Sequence, residues 1–381
     1  MTSKILSIIE NNYRALDYIS SYEKSVLEKI LHCKTEAVPH LYMECDNCFS
    51  YHPVYKSCKN RMCPVCNGSA SLKWTAHREA ELLKTYYFFL TFTVPSELRS
   101  LFLYNKRICY TLLFKAMHES LSEGIHDNDR YFSGRGGYFA ILHTWDQLLN
   151  YHPHLHVVVP GGCLSEDGTA WISSHPRFFL PVKRLSDLFK KKLLLLIRKE
   201  LKKGSLRIPS KIKDPQNYYG KLKSRKWVVH CEAPEKERSK PESIIRYLSR
   251  YVSKTAVNDN RILKVEKGKV YLKYYNRKKK KAMVEVIPEM QFLKRLLLHI
   301  LPKGFQKVRY YGFMANRYRA SQLALCRMLL GAPLNSQHEI DKEQLNDVVF
   351  LFWKYFRIDI SLCRDCGKGH VRLKDERMRS G

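Results

Sequence analysis

Apolar residues follow two spacings along the chain, and these predict helices and strands in alternation. Residues 1 to about 32 have apolar positions at helical spacing. Residues 86–95 (YYFFLTFTVP) are rich in β-prone side chains and end at proline, which is typical of a buried strand. The same criteria predict strands at 138–145, 154–159 and 227–231, a hairpin at 269–275 and 282–287, and helices at 69–84, 101–121, 185–201 and 241–256. Several hairpin-like connections favour an α+β fold over a parallel sheet.

The charge of the chain indicates a polyanionic partner. Lysine and arginine together number 67, against 36 aspartates and glutamates, which gives a formal net charge of +31. Nucleic acid is the commonest partner of so basic a protein, and an anionic membrane surface is the alternative. The 24 tyrosines, many of them near basic residues, favour DNA with unpaired bases on which aromatic rings stack.

The sequence predicts a cytoplasmic, nucleoid-associated protein with no membrane partner. No stretch approaches the ~18 apolar residues of a spanning helix, and residues 1–4 (MTSK) do not begin a signal peptide. In a reducing compartment the 12 cysteines are expected to be thiols and metal ligands, not disulfides.

Five cysteines between residues 45 and 66 predict a zinc site. Cys45 and Cys48 form one Cys-x2-Cys knuckle, and Cys63 and Cys66 form another. Because each knuckle supplies two ligands, we expect a tetrahedral zinc bound by these four thiolates, with Cys58 as the alternate ligand. Four thiolates leave no open coordination position, so this zinc is expected to be structural.

Basic residues within this cluster indicate DNA contact, whereas the remaining cysteines do not predict a site. Lys59 and Arg61 lie within the cluster and are expected to contact DNA phosphates. A further knuckle, Cys363 and Cys366, has too few obvious partners to form a site alone. The scattered cysteines are expected to be core thiols: Cys33, Cys109, Cys163, Cys231 and Cys326.

His154 and His156 stand two residues apart in a β-prone run. Side chains at this spacing on a strand share one face, so the two imidazoles can be presented to one metal ion. Residues 157–159 (VVV) are strand-like, and the glycines at 161 and 162 indicate the turn that ends the strand. Two ordinary histidines on a half-exposed strand would have the same pattern.

Residues 241–256 predict an amphipathic helix that begins with proline and an acid, as a helix N-terminus should. Tyr247 and Tyr251, four residues apart, lie at the margin of its apolar stripe. They are flanked by three cations, which are candidate DNA contacts: Arg246, Arg250 and Lys254. An aromatic pair that completes the core would have this pattern, and so would a phenol placed to attack a phosphate.

Together these motifs resemble the two-tyrosine HUH transposases of rolling-circle insertion sequences, the IS ninety-one family. Residues 57–66 (SCKNRMCPVC) resemble the family's zinc-binding motif, residues 143–162 its metal motif and residues 246–252 (RYLSRYV) its nucleophile helix. Residues 301–317 resemble a further family signature. Met62 departs from the histidine expected in many relatives, which favours all-thiolate zinc ligation here.

The resemblance implies a DNA transposase that nicks and rejoins single-stranded transposon ends through a 5′-phosphotyrosine, with Tyr247 and Tyr251 as nucleophiles. It also implies a divalent ion, Mg²⁺ or Mn²⁺, at His154 and His156. Gln147 is the expected third ligand, because a tight hairpin about residues 150–151 would set it opposite His154. Asp146 and His143 are the alternatives.

The resemblance further implies an HUH-type antiparallel sheet flanked by helices. We expect a small helical zinc-binding domain over residues 1–84, a catalytic domain over 85–290 and a mostly helical C-terminal region over 291–381. Two other functions fit the same motifs. One is an HUH replication initiator or relaxase, and the other is a non-enzymatic, zinc-dependent DNA-binding regulator.

Overall fold

The chain combines helices with sheets whose described strands all pair antiparallel, which confirms the α+β prediction. The computed structural model describes residues 3–127, 132–233, 256–331 and 342–373. The helices are α1 (Lys4–Asn12), α2 (Ser21–Leu31), α3 (Asn67–Ala80), α4 (Leu98–Tyr104), α5 (Lys106–His126), α6 (Val182–Lys202), α7 (Pro215–Ser224), α8 (Glu289–Leu297), α9 (Arg319–Leu329), α10 (Lys342–Asn346) and α11 (Val348–Phe356). The strands are β1 (His40–Cys45), β2 (Tyr51–Tyr55), β3 (Tyr87–Thr93), β4 (Gly137–Trp145), β5 (Tyr151–Pro160), β6 (Gly162–Leu164), β7 (Trp171–Ser173), β8 (Val228–Glu232), β9 (Ile262–Glu266), β10 (Lys269–Asn276), β11 (Lys281–Pro288), β12 (Val308–Gly312) and β13 (Val371–Leu373). Among the described helices, none has both the length and the apolar character that crossing a membrane requires.

A five-stranded antiparallel sheet is the centre of the unit formed by residues 81–252 and 298–338. Its strand order is β12-β4-β5-β3-β8. Leu155 and Val157 of β5 are fully buried in a core that includes Phe114 of α5, so α5 and α6 cover this face. Because successive side chains on a strand point to opposite faces, His154 and His156 lie on the other face.

The second unit brings together residues 1–80, 253–297 and 339–381. It contains two three-stranded sheets, ordered β13-β1-β2 and β11-β10-β9. Lys4 of α1 donates to the Ile262 carbonyl at the start of β9, with an Nζ–O distance of 2.7 Å. Helix α3 packs against α10 and α11 through a small apolar cluster of Ala76, Leu345 and Leu351. Segments far apart in sequence therefore contact one another within this unit.

These two units divide the chain differently from the expected regions 1–84, 85–290 and 291–381. The β10–β11 hairpin belongs to the unit that contains the N-terminus. From the last expected region, β12 pairs with β4 and β13 pairs with β1. The spacing of apolar residues identifies a strand but not its partner, so the expected regions follow sequence order and remain a prediction. All but the last residue of the helix predicted over 241–256 lies outside the described residues, which resume at 256.

The close approach of β12 to β4 generates a prediction about stability. Gly312 has a φ of +58°, and a Cβ there would lie 1.7 Å from the Gly136 carbonyl oxygen. We expect Gly312→Ala to break the last pair of this ladder and to lower the free energy of unfolding by more than the ~1–2 kcal/mol that a left-handed alanine costs alone, which also lowers the melting temperature. Thermal unfolding followed by circular dichroism measures the loss.

Gly304→Ala is the matched control. Gly304 also has positive φ, +73°, but a Cβ there would meet nothing within 4 Å. If the two variants lost the same stability, the clash with the Gly136 carbonyl would have no consequence.

Candidate metal centres

Three histidines come together on the sheet face opposite α5 and α6. β4 and β5 pair in a register that sets His143 directly opposite His154, and His156 follows two residues later on the same face. One ring nitrogen of each lies within 4.8 Å of the other two. His143 and His154 are 3% and 9% exposed. The two histidines identified in the sequence therefore share a face and gain a third partner from the neighbouring strand.

The hydrogen bonds of His154 determine which of its ring nitrogens is available. Its Nδ1 lies 2.7 Å from the backbone carbonyl oxygen of His152, which can only accept, so Nδ1 carries the proton and donates it. The lone pair of Nε2 then faces His156 Nε2 at 3.1 Å. A hydrogen bond at the remote ring nitrogen is also what orients histidines that bind metals.

Burial keeps these rings neutral. It lowers the pKa of His154 well below the usual histidine value, and the charge of His156 adds to the effect. Burial, followed by the charge of Lys307, lowers the pKa of His156 to about 4. Because a neutral imidazole binds a cation without first losing a proton, the group is ready for a metal ion at neutral pH.

Gln147 does not occupy the position expected from the sequence. It is exposed in the turn between β4 and β5, not opposite His154. Residues 146–150 form a longer turn than the tight hairpin expected, and the Asp146 carboxylate closes it by accepting from two backbone N–H groups at 2.8 and 2.9 Å. The expected register is therefore corrected, and His143, one of the two alternatives, stands opposite His154.

Lys307 is a buried cation beside the three histidines that sequence analysis did not identify. It is 7% exposed, and its Nζ lies 5.0 Å from the centre of the Trp145 ring. Trp145 in turn stacks on His143 with ring centres 4.8 Å apart. The resemblance marks residues 301–317, within which Lys307 falls, but gives no chemistry to this position. Only the fold brings its charge to the histidines.

Eight of the cysteines in the described residues form two groups of four. Neither group is the predicted set: Cys45, Cys48, Cys63 and Cys66.

The first group comprises Cys33, Cys58, Cys63 and Cys66. The Cys58 and Cys66 sulfurs lie 3.7 Å apart, and the Cys58 backbone N–H donates to the Cys33 sulfur at 3.3 Å. Cys33, expected to be a core thiol, and Cys58, expected as an alternate, thus belong to this group. Hydrogen bonding from the Cys58 thiol lowers the pKa of Cys63 to about 5.

The second group joins Cys45 and Cys48 to Cys363 and Cys366. Sulfur–sulfur distances of 3.7 Å separate Cys45 from Cys366 and Cys48 from Cys363. The backbone N–H of Cys366 is the strongest influence that lowers the pKa of Cys363 to about 5. The structure places the two knuckles of the single predicted site in different groups, because each has its partners elsewhere in the fold.

Both cysteine groups have the geometry and donor chemistry of a tetrahedral thiolate site. Four sulfurs at about 2.3 Å from one zinc ion lie about 3.8 Å from each other. The observed sulfur–sulfur distances of 3.7 Å fit this value, whereas a disulfide bond is about 2.05 Å long. An all-thiolate shell leaves no position for water or substrate, so the residues fit a structural ion.

The side chains predicted to act on DNA are described only in part. Lys59 and Arg61 are exposed on either side of Asn60, within the first cysteine group. The predicted nucleophiles and their neighbouring cations lie outside the described residues: Arg246, Tyr247, Arg250, Tyr251 and Lys254.

Comparisons with known proteins match the N-terminal cysteine-containing region and the region that contains the three histidines. Residues 5–94 match the family model of a transposase zinc-binding domain. Residues 137–322, which include the three histidines and Lys307, match the family model of a putative transposase. No solved structure matches the chain.

Two curated relatives extend over most of the chain. The putative transposase y4qJ of Sinorhizobium fredii is 38% identical over 334 residues, which cover 85% of this chain and 83% of the relative. The transposase for insertion sequence element IS801 of Pseudomonas savastanoi pv. phaseolicola is 26% identical over 309 residues, 77% of this chain and 71% of the relative. The chain therefore belongs to the IS ninety-one family of transposases and carries the family's N-terminal zinc-binding domain.

Proposed function

We propose that this transposase cuts and rejoins single-stranded DNA through a 5′-phosphotyrosine intermediate. The observation that carries the proposal is the group of three imidazoles, His143, His154 and His156, on one face of an antiparallel sheet. Such a group is suited to a divalent cation, which phosphoryl transfer uses to offset developing negative charge. The relative named as the transposase of an insertion sequence element supports DNA as the substrate.

The three imidazoles also bear on the choice of ion. Mg²⁺ prefers oxygen ligands, whereas imidazole nitrogen suits first-row transition ions. Of the two ions expected from the resemblance, Mn²⁺ is therefore the better match to His143, His154 and His156. When bound, the ion would polarise the scissile phosphate and help to orient it.

The chain's own residues would perform the remaining steps. His154 is held with Nε2 free by the carbonyl of His152, and Lys307 adds a fixed positive charge beside the imidazoles. The phenol oxygen of Tyr247 or Tyr251 forms a bond to phosphorus, the bond from phosphorus to the 3′ oxygen breaks, and that oxygen takes up a proton. The phosphotyrosine ester conserves the energy of the broken bond, so rejoining needs no ATP.

The basic surface and the first cysteine group would serve DNA binding. The net charge of +31 predicts affinity that falls steeply with salt, because bound phosphates release counterions. A zinc ion at Cys33, Cys58, Cys63 and Cys66 would fix the loop that carries Lys59 and Arg61. Those two cations would then meet phosphates without a large loss of conformational freedom.

The histidine group generates the first functional prediction. We expect His143→Ala and His154→Ala each to slow metal-dependent cleavage by at least ~10²-fold, since each removes one ligand of the ion that stabilises the transition state. DNA binding should persist, because it depends on phosphate contacts elsewhere. The measurements are single-turnover cleavage of a labelled oligonucleotide that carries an element end, with Mn²⁺ or Mg²⁺, and fluorescence anisotropy for binding.

Gln147→Ala is the matched control, because Gln147 is an exposed residue of the same hairpin. It should cleave at the wild-type rate. If Gln147→Ala lost cleavage and His143→Ala did not, the third metal ligand would be Gln147 and not His143. Full cleavage by His143→Ala and His154→Ala would instead support a role as a non-enzymatic DNA-binding regulator.

The two tyrosines generate the second prediction. We expect Tyr247→Phe and Tyr251→Phe each to abolish transposition, because two strand transfers need two nucleophiles, and the double variant to form no covalent adduct. Phenylalanine keeps the ring and removes only the hydroxyl. Denaturing gels with labelled single-stranded DNA detect the adduct, and a paired duplex of the same sequence should give much less. An adduct in the double variant would move the nucleophile elsewhere.

Lys307 generates the third prediction. We expect Lys307→Met to slow cleavage by roughly 10- to 100-fold through loss of a fixed charge near the phosphate. The loss should grow at acidic pH, because removing this cation raises the pKa of His156 and lets protons compete with the metal at higher pH. A pH–rate profile measures both effects. The exposed Lys303 is the control. If Lys303→Met and Lys307→Met slowed cleavage equally, the effect would reflect the net charge of the protein and not the position of Lys307.

A further inference from the structure

We propose that Cys45, Cys48, Cys363 and Cys366 form a second structural zinc site that fastens residues 361–373 to the N-terminal β-hairpin. The matched zinc-binding domain ends at residue 94, so half of these ligands lie outside it. The proposal does not depend on the histidine centre or on DNA cleavage.

The two Cys-x2-Cys knuckles are arranged so that their four thiols meet. Cys45 ends β1, and Cys48 lies in the turn that leads to β2. Cys363 and Cys366 lie just before β13, which pairs antiparallel with β1 so that Val371 stands opposite Cys45. Two Cys-x2-Cys knuckles at one end of a three-stranded antiparallel sheet thus face each other, and each supplies two thiols to a tetrahedron.

Backbone N–H groups point at the sulfurs of both knuckles. The N–H groups of Asn47 and Cys48 donate to the Cys45 sulfur at 3.4 and 3.5 Å, and the N–H of Gly369 donates to the Cys366 sulfur at 3.4 Å. Such bonds stabilise thiolate over thiol, and the thiolate is the form that binds metals. Backbone N–H groups of both knuckles are therefore placed to stabilise a thiolate, at Cys45 and at Cys366.

Two glycines shape the C-terminal knuckle. Gly367 follows Cys366 at a φ of +64°, a conformation that side chains disfavour. A Cβ on Gly369 would lie 2.6 Å from the Cys45 sulfur and 2.6 Å from the Asn47 Cβ. Gly369 can approach Cys45 closely only because it carries no side chain, whereas Gly367 supplies the left-handed turn of the knuckle.

Contacts around the sulfurs hold the two segments in this arrangement. The Asp46 N–H donates to the His370 carbonyl at 3.1 Å, and the His370 N–H donates to the Asp46 carboxylate at 2.8 Å. His52 Nε2 lies 3.4 Å from the Cys363 sulfur, where an imidazole N–H would stabilise the bound thiolate. The apolar contribution is small, since β13 is short and Leu373 is 58% exposed. A metal ion supplies the attachment that apolar burial does not.

Zinc content of the full-length protein tests the proposal. After dialysis to remove loose metal, the wild type should contain about two zinc ions per chain. Cys363→Ser/Cys366→Ser should lose half of this zinc, and so should Cys63→Ser/Cys66→Ser, which removes the other site. Cys231→Ser is the matched control and should lose none, because Cys231 is a half-buried thiol that belongs to neither group.

A second measurement keeps the test decisive if the double serine variant folds poorly. Cobalt substitution of the wild type should give about twice the sulfur-to-metal charge-transfer absorption of Cys63→Ser/Cys66→Ser, because twice as many thiolates bind metal. Cys366→His, which retains a zinc ligand, should keep the full zinc content. One zinc per wild-type chain, or full zinc in Cys363→Ser/Cys366→Ser, would overturn the proposal.

Discussion

The register between β4 and β5 is the constraint on which the histidine centre depends. His143 lies directly opposite His154, and the next pair along the ladder, Leu142 and Leu155, points into the core. A slip of one residue would turn every side chain of one strand to the other face. The apolar residues that bury one face of the sheet therefore also decide that imidazoles meet on the other. Strand β4 also positions Lys307 at its other edge, beside β12, where the Lys307 carbonyl accepts from the Leu142 N–H at 2.9 Å.

The turn that joins these strands is fixed by polar groups. His299 is buried and donates from Nε2 to the Leu149 carbonyl at 3.1 Å, while its Nδ1 lies 3.2 Å from the Thr144 hydroxyl. Burial lowers the pKa of His299 to about 4, so it stays neutral and keeps one donor and one acceptor. Leu149 itself has a φ of +61°. This supported, mildly strained turn is longer than the two-residue type and directs Gln147 to solvent.

Local spacing was sufficient to predict the strands but not the partners of their side chains. The β-prone runs at 86–95 and 154–159 correspond to β3 and to most of β5, and the shared face of His154 and His156 follows from a period of two. The third histidine depends on strand register and turn length, which spacing along one strand does not contain. The cysteines show the same limit. Knuckle spacing identifies Cys45 with Cys48 and Cys63 with Cys66, but which knuckles meet depends on pairing between β1 and a strand at the other end of the chain.

The distance in sequence between the two halves of the second cysteine group has a consequence during synthesis. Cys48 and Cys363 are 315 residues apart, so a ribosome makes the N-terminal knuckle long before its partner exists. Throughout that interval Cys45 and Cys48 are an open dithiol, available to oxidants or to a borrowed metal ion. Closing so long a loop costs little more entropy than closing a short one, because the cost grows only with the logarithm of length. The four-thiol group can therefore assemble only after residues 363–366 are made, and a chain that stops before them keeps Cys45 and Cys48 as a pair of thiols without these partners.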